Sequence, residues 1–316
     1  MISYYHLGGR RLVPYSPAAL SYFLNTPNYV KPPRATNFIR ILIGDGILTA
    51  EYEEHRRQRR ILTPAFAISH IRTLTPHFWN KARQLVEVMS PVVESKPEAG
   101  IDVAAWLNRV TLDIIGVAGF GFDFNSLENE EQSIAKTYRH LFQPGGSTRL
   151  TILMNYVFPP FKYIPLPSSI ALEKARSIVR NTALNMIRQK EGEGIDKMGR
   201  GEKDILGVMI EENRRNRENG IPHEALNQEE MVNQIMTFLA AGHETTSTAV
   251  TWALYLLSVH PNIQERLRNE VQDLDLDNPP SFEKLELFKY LNNVCREVLR
   301  FIPPGKKPPV APNLMR

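Results

Sequence analysis

The chain is 316 residues long, with 42% apolar residues, 23% charged residues and a formal net charge of +4, a balance that suits one large or two ordinary folded domains and excludes a wholly disordered chain. The basic residues are spread over several predicted helices instead of one tail, so no nucleic-acid partner is expected. A single cysteine, Cys295, excludes an intrachain disulfide and every multi-cysteine zinc site.

Tyr4 to Tyr15 alternates loosely around Gly8-Gly9 and predicts a short β-hairpin, and Pro17 just after Ser16 predicts a helix start. From Ala50 onward the helical period dominates. It predicts helices at 51–60, 77–90, 102–118, 127–142, 170–190, 204–217, 229–258, 262–273 and 283–301, so the expected fold is mainly α with one small hairpin near its start. Breakers separate these runs at Pro144 to Ser147, Pro159 to Ser169, Gly192 to Gly201 and Pro279-Pro280. Glu191 to Lys203 reads as a polar surface loop. Tyr156-Val157-Phe158-Pro159-Pro160-Phe161 is apolar for a loop and is either folded onto its own protein or offered to a partner. No secretory signal or anchor is legible: Thr237 to Val259, the best candidate, offsets its apolar residues with a central charge and many hydroxyls.

The 229–258 helix carries the most informative stretch, Ala240-Ala241-Gly242-His243-Glu244-Thr245-Thr246-Ser247. Met231, Ile235, Phe238, Gly242, Ala249, Trp252 and Leu256 form one helical stripe, and Thr245 falls on it. Glycine costs about 1 kcal/mol relative to alanine inside a helix, and an unpartnered buried hydroxyl or carboxylate costs about 1–3 kcal/mol. A ligand against the helix would account for both. A threonine bonded to its own preceding carbonyl would account for the hydroxyl alone. His243-Glu244 is not a metalloprotease motif, because Ser247 stands where the second histidine is needed.

Three motifs in this order, the basic run His55-Arg56-Arg57-Gln58-Arg59-Arg60 leading into Leu62-Thr63-Pro64-Ala65-Phe66, the Ala241–Thr246 segment, and Glu297-Val298-Leu299-Arg300 before Pro303-Pro304, resemble the cytochrome P450 family over roughly Tyr4 to Pro304. The resemblance implies a haem monooxygenase that inserts one oxygen atom of O2 into a lipophilic small molecule, with electrons from a partner reductase. It implies that Thr245 hydrogen-bonds the oxygen being activated, that Glu244 passes protons in from water, and that Ala241 and Gly242 leave room for oxygen. Arg59 and His55 would hold the haem propionates, since a guanidinium fork matches a carboxylate, while Arg56, Arg57 and Arg60 would form a solvated basic face. Glu297 and Arg300 would be a buried structural pair.

The family's thiolate ligand lies in a Phe-x-x-Gly-x-Arg-x-Cys-x-Gly loop that has no counterpart in these 316 residues, so no metal ligand is assigned. Cys295 shares a helix with Glu297 and Arg300 and reads as a small buried hydrophobe. From Gly305 to Pro312 the chain departs from the family pattern. The expectation is a partial catalytic domain over 1–304, incomplete at both ends, and a Pro/Lys-rich tail over 305–316. Such a chain would be inactive as it stands and marginally folded, because the apolar face of the 231–256 helix would lack its cover. Eukaryotic members imply the endoplasmic reticulum membrane, with the 156–161 loop as a peripheral contact. The competing expectation is a non-catalytic helical protein that binds anionic membrane or another partner through its basic face and apolar loop.

Overall fold

The computed structural model describes residues 2–6, 9–26, 30–31, 33–95, 100–129, 167–192 and 204–305, with isolated positions between 137 and 166. The predicted helix at 127–142 therefore lies almost wholly outside the described residues, as do most of the 156–161 loop, the 193–203 loop and the tail from 306. The hairpin is present: β1 (Ile2–His6) pairs antiparallel with β2 (Gly9–Val13), with Ile2 opposite Val13. The fold is otherwise helical. It runs through α1 (Pro17–Asn25), α2 (Pro33–Ile43), α3 (Tyr52–Leu62), α4 (Ile68–Thr73), α5 (Thr75–Ser95), α6 (Val103–Phe120), α7 (Pro167–Gly192), α8 (Ile205–Glu218), α9 (Gln228–Val259), α10 (Pro261–Val271), α11 (Phe282–Glu286) and α12 (Lys289–Phe301).

Local chemistry sets the helix ends. Ser16, Asp102, Asp204 and Asn227 each accept a bond from a backbone N–H of the helix that follows. Asn227 and Glu230 close a full capping box, with Glu230 N donating to Asn227 Oδ1 at 2.9 Å and Asn227 N to Glu230 Oε2 at 2.7 Å. α2 was not expected from the sequence. The predicted 283–301 helix is two helices, because the chain turns at Leu287–Phe288 before α12 restarts.

The larger of two apolar clusters is built mainly by α3, α6, α7, α8 and α9, with Leu112, Ala183, Leu206, Met209, Val232 and Ile235 fully enclosed. α6 is long and apolar enough by composition to cross a membrane, yet more than half of it is buried inside this protein, packed along α9. The two helices are joined by polar bonds as well as apolar contacts. Thr111 Oγ1 lies 2.8 Å from Leu107 O and 3.0 Å from His243 O, and Ser247 Oγ donates to Asn108 Oδ1 at 2.6 Å.

On α6, Asp113 is fully buried and holds the 121–129 turn: Ser126 N and Leu127 N donate to its two carboxylate oxygens at 2.8 and 3.2 Å. Burial pushes its pKa up, against the pull of those two bonds.

Candidate functional site

α9 changes character along its length. From Met231 to Thr237 every residue is buried, whereas Ala241, Thr245, Thr246 and Val250 are exposed. The buried face continues as Leu239, His243 and Ser247 against α6, so the stripe drawn from the sequence is enclosed only as far as Ile235 and then turns toward an open side.

Gly242 and Thr245 have different explanations. A Cβ added at Gly242 would lie 3.0 Å from Ile115 Cγ1 and 3.1 Å from Ile115 Cδ1. The notch is therefore filled by α6, and helix packing accounts for the glycine. Its expected part in leaving room for oxygen rests on the resemblance alone. Thr245 is on the open side, where its Oγ1 donates to Ala241 O at 2.6 Å. That is the local back-bond available to any helical threonine, here at an exposed position from which the hydroxyl can turn outward. Ala241 presents a small side chain on the same side one turn earlier, and Glu244 is half-buried between the two faces.

His243, set aside in the sequence as a metal ligand, is buried, with Nδ1 2.7 Å from Leu239 O. Burial pushes its pKa below the ordinary 6.5. The native state then favours the neutral ring, so its stabilising contribution is present above pH 6.5 and is lost as pH falls from there through the native value. Urea unfolding at stepwise lower pH is expected to show a loss approaching about 1.4 kcal/mol per pH unit from this one group. His243→Gln should flatten that slope. An unchanged slope would assign the acid sensitivity elsewhere.

α3 supplies a second polar site. Glu51, Tyr52, His55, Arg56, Arg59 and Thr63 line a cleft of about 520 Å³. Each of three arginines in this run bonds an acid of the chain: Arg56 to Glu53 at 2.6 Å, Arg60 to Glu224 at 3.3 Å, and Arg57 to Glu54 at 2.7 Å and also to Glu230. Arg57 NH1 also donates to Ala225 O at 2.7 Å, and its side chain is only 16% exposed. Arg57 is thus a brace between α3 and the start of α9, which corrects its placement on a solvated basic face. The Arg59 guanidinium has no acid partner among the described residues and is open to the cleft. His55, one turn before it, is held below the ordinary histidine range by burial, and then by the positive charges of Lys31 and Arg59.

Glu297 and Arg300 bond each other in two places, at 2.7 and 2.6 Å, and Arg300 holds the Glu297 carboxyl below its usual range. Their side chains are 61% and 69% exposed. The expected burial of the pair is therefore not found: the pair stands at the rim of an apolar groove of about 430 Å³ with Leu256, Leu257, Tyr290 and Phe301, and no described element covers it. Cys295 is likewise exposed instead of buried, with its thiol pKa pushed up by partial desolvation, because α12 turns Val298 inward and Cys295 outward.

Comparison with known proteins adds four findings. A family model described as Cytochrome P450 matches residues 5–309. Cytochrome P450 monooxygenase FUM15 of Gibberella moniliformis is 34% identical over 94% of this chain and 52% of its own length. Cytochrome P450 monooxygenase ALT8 of Alternaria alternata is 34% identical over 94% of this chain and 54% of its own. The chain thus spans about half the length of the curated relatives it matches. Among solved structures, the crystal structure of a cytochrome P450, CYP102L1, superposes with a TM-score of 0.63 at 23% identity, over 89% of this chain and 61% of that one.

Proposed function

Since the chain belongs to the cytochrome P450 family, whose model spans residues 5–309, we propose that it forms the distal half of a haem monooxygenase acting on a lipophilic small molecule with O2 and a reductase. The observation that carries this reading is the open side of α9, where Thr245 and Ala241 are exposed just beyond the stretch of the helix that is packed into the core. Haem, when bound, would supply oxygen activation. The chain's own residues would do the rest. Ala241 keeps the space beside the helix small-walled. The Thr245 hydroxyl, released from Ala241 O, would donate a hydrogen bond to the oxygen, and half-buried Glu244 would renew the proton from solvent.

The donor set fits haem on two counts: an open α9 side with a movable hydroxyl, and, at Arg59, a guanidinium without an acid partner among the described residues, beside the imidazole of His55, suited to carboxylates. It supplies no thiolate. Cys295 is the sole cysteine, lies on the helix of Glu297 and Arg300, and has its thiol pKa pushed up instead of down.

Two measurements test the proposal. Saturable haem uptake by this chain, followed by absorbance, is expected, and no uptake would defeat the reading. Arg59→Leu is expected to weaken haem binding roughly 10- to 100-fold in an absorbance titration, as loss of a charge-assisted bond of about 1.5–3 kcal/mol implies. We also propose a peripheral contact with the endoplasmic reticulum membrane, supported by Phe158, 56% exposed in the apolar 156–161 segment. Cosedimentation with neutral and anionic vesicles tests it. Salt-sensitive anionic binding by a protein that takes up no haem would favour the non-catalytic alternative.

A further inference from the structure

The cleft holding Arg59 and the open side of α9 belong to different helices, and a rigid cofactor reaching both requires a fixed relation between them. The structure contains a brace that fixes it. Gln58 precedes Arg59, so a step of about 100° along α3 turns it away from the cleft and toward α9. Gln58 is 2% exposed, and Gln234, on α9 one turn before Phe238, is fully buried.

Gln234 Nε2 donates to Gln58 Oε1 at 2.6 Å, and Gln58 Nε2 donates to Glu54 Oε1 at 2.5 Å. Gln234 Oε1 in turn accepts from Ile47 N at 3.1 Å, in the segment that leads into the cleft-lining Glu51 and Tyr52. This segment lies hard on α9: a Cβ added at Gly46 would be 2.6 Å from Thr237 Oγ1 and 3.3 Å from Gln234 Oε1. One buried amide therefore ties both the helix and the preceding wall of the cleft to α9.

A pair of buried amides contributes little net stability over an apolar pair of the same shape, but its hydrogen bonds fix one register where apolar side chains allow several. Arg57, bonded to Glu54 and Glu230, limits sliding at the other end of the contact.

We propose that Gln58 and Gln234 are positioning residues, whose buried bridge sets Arg59 and His55 at the distance from the Ala241–Thr245 side at which both can act on one bound haem. The inference rests on the functional reading above. Haem titration of the full chain, followed by absorbance, compares Gln234→Met, Arg59→Leu with His55→Phe, and all three substitutions together, with thermal melting measured on each.

The expected result is a loss of at least tenfold in haem affinity for Gln234→Met alone, and no further loss when it is added to the Arg59/His55 double variant. Independent, multiplicative losses would overturn the positioning role and leave a merely structural one. An Arg59/His55 double variant that binds haem like the parent would instead overturn the reading on which the inference stands. Should Gln234→Met fail to fold, Gln58→Met answers the same question, because Glu54 keeps Arg57 as a partner. A parental affinity in that variant would overturn the proposal.

Discussion

On the proposed reading, Thr245→Val in a protein that carries the thiolate ligand is expected to lower product formation by about a hundredfold while leaving the melting temperature unchanged. The two halves of the result have separate causes. Removing a positioned proton donor or acceptor typically lowers a rate about 10²- to 10⁴-fold, and Thr245 is an exposed hydroxyl on α9 to which the proposal gives that role. The lower figure applies where water can enter and partly substitute, as it can at an exposed position. Stability should not move, because the bond given up joins an exposed hydroxyl to Ala241 O in the same helix. Such back-bonds do not support a helix, and an exposed substitution of this kind stays within about 0.5 kcal/mol. Product quantified against electrons consumed, with calorimetry on the same samples, makes the check. Full activity in the valine variant would remove Thr245 from the chemistry, and a lost transition would assign it to the fold.

Asp113→Ala should do the opposite, destabilising the fold by about 2–4 kcal/mol without touching the open side of α9. Its carboxylate is the acceptor for Ser126 N and Leu127 N, and a buried N–H left without a partner costs about 1–3 kcal/mol. Part of that loss is offset at neutral pH, because the substitution also removes a carboxylate that burial disfavours when ionised. The native pKa is raised above 3.8, so Asp113's titration-linked contribution is fully present below 3.8 and declines as pH rises through the native value. The deficit of the alanine variant should accordingly be larger near pH 4 than at pH 7. Urea unfolding at both values measures it, and a deficit that grows with pH would contradict the assignment.

Legibility in the sequence followed the range of the interaction. The hairpin, the helix start at Ser16 and the long central helix rest on contacts within a few residues and were readable from period and capping chemistry. α2 escaped because Pro33–Ile43 mixes β-branched residues with Asn37 and Thr36, which weakens its helical signature even though packing against α9 holds it helical. At the candidate site the sequence marked Gly242 and Thr245 together as a notch. Only the fold separates them, since Ile115 fills one and the other is open. Within the basic run, nothing in the residue types distinguishes Arg57 from Arg59. The difference is made by Glu230, far away along the chain. The Gln58–Gln234 bridge was invisible for the same reason.

That distance also has a consequence for synthesis. The contacts that brace the cleft join residues 173 and 176 positions apart. A ribosome adding about 5–20 residues per second needs roughly 9 to 35 seconds to pass from one partner to the other. During that interval α3 has been made without α9 to lie against, and its amide at Gln58 lacks Gln234 as a partner. The arginine cleft therefore takes its shape late, when α9 emerges, and any molecule that depends on that shape must wait for most of the chain to be made.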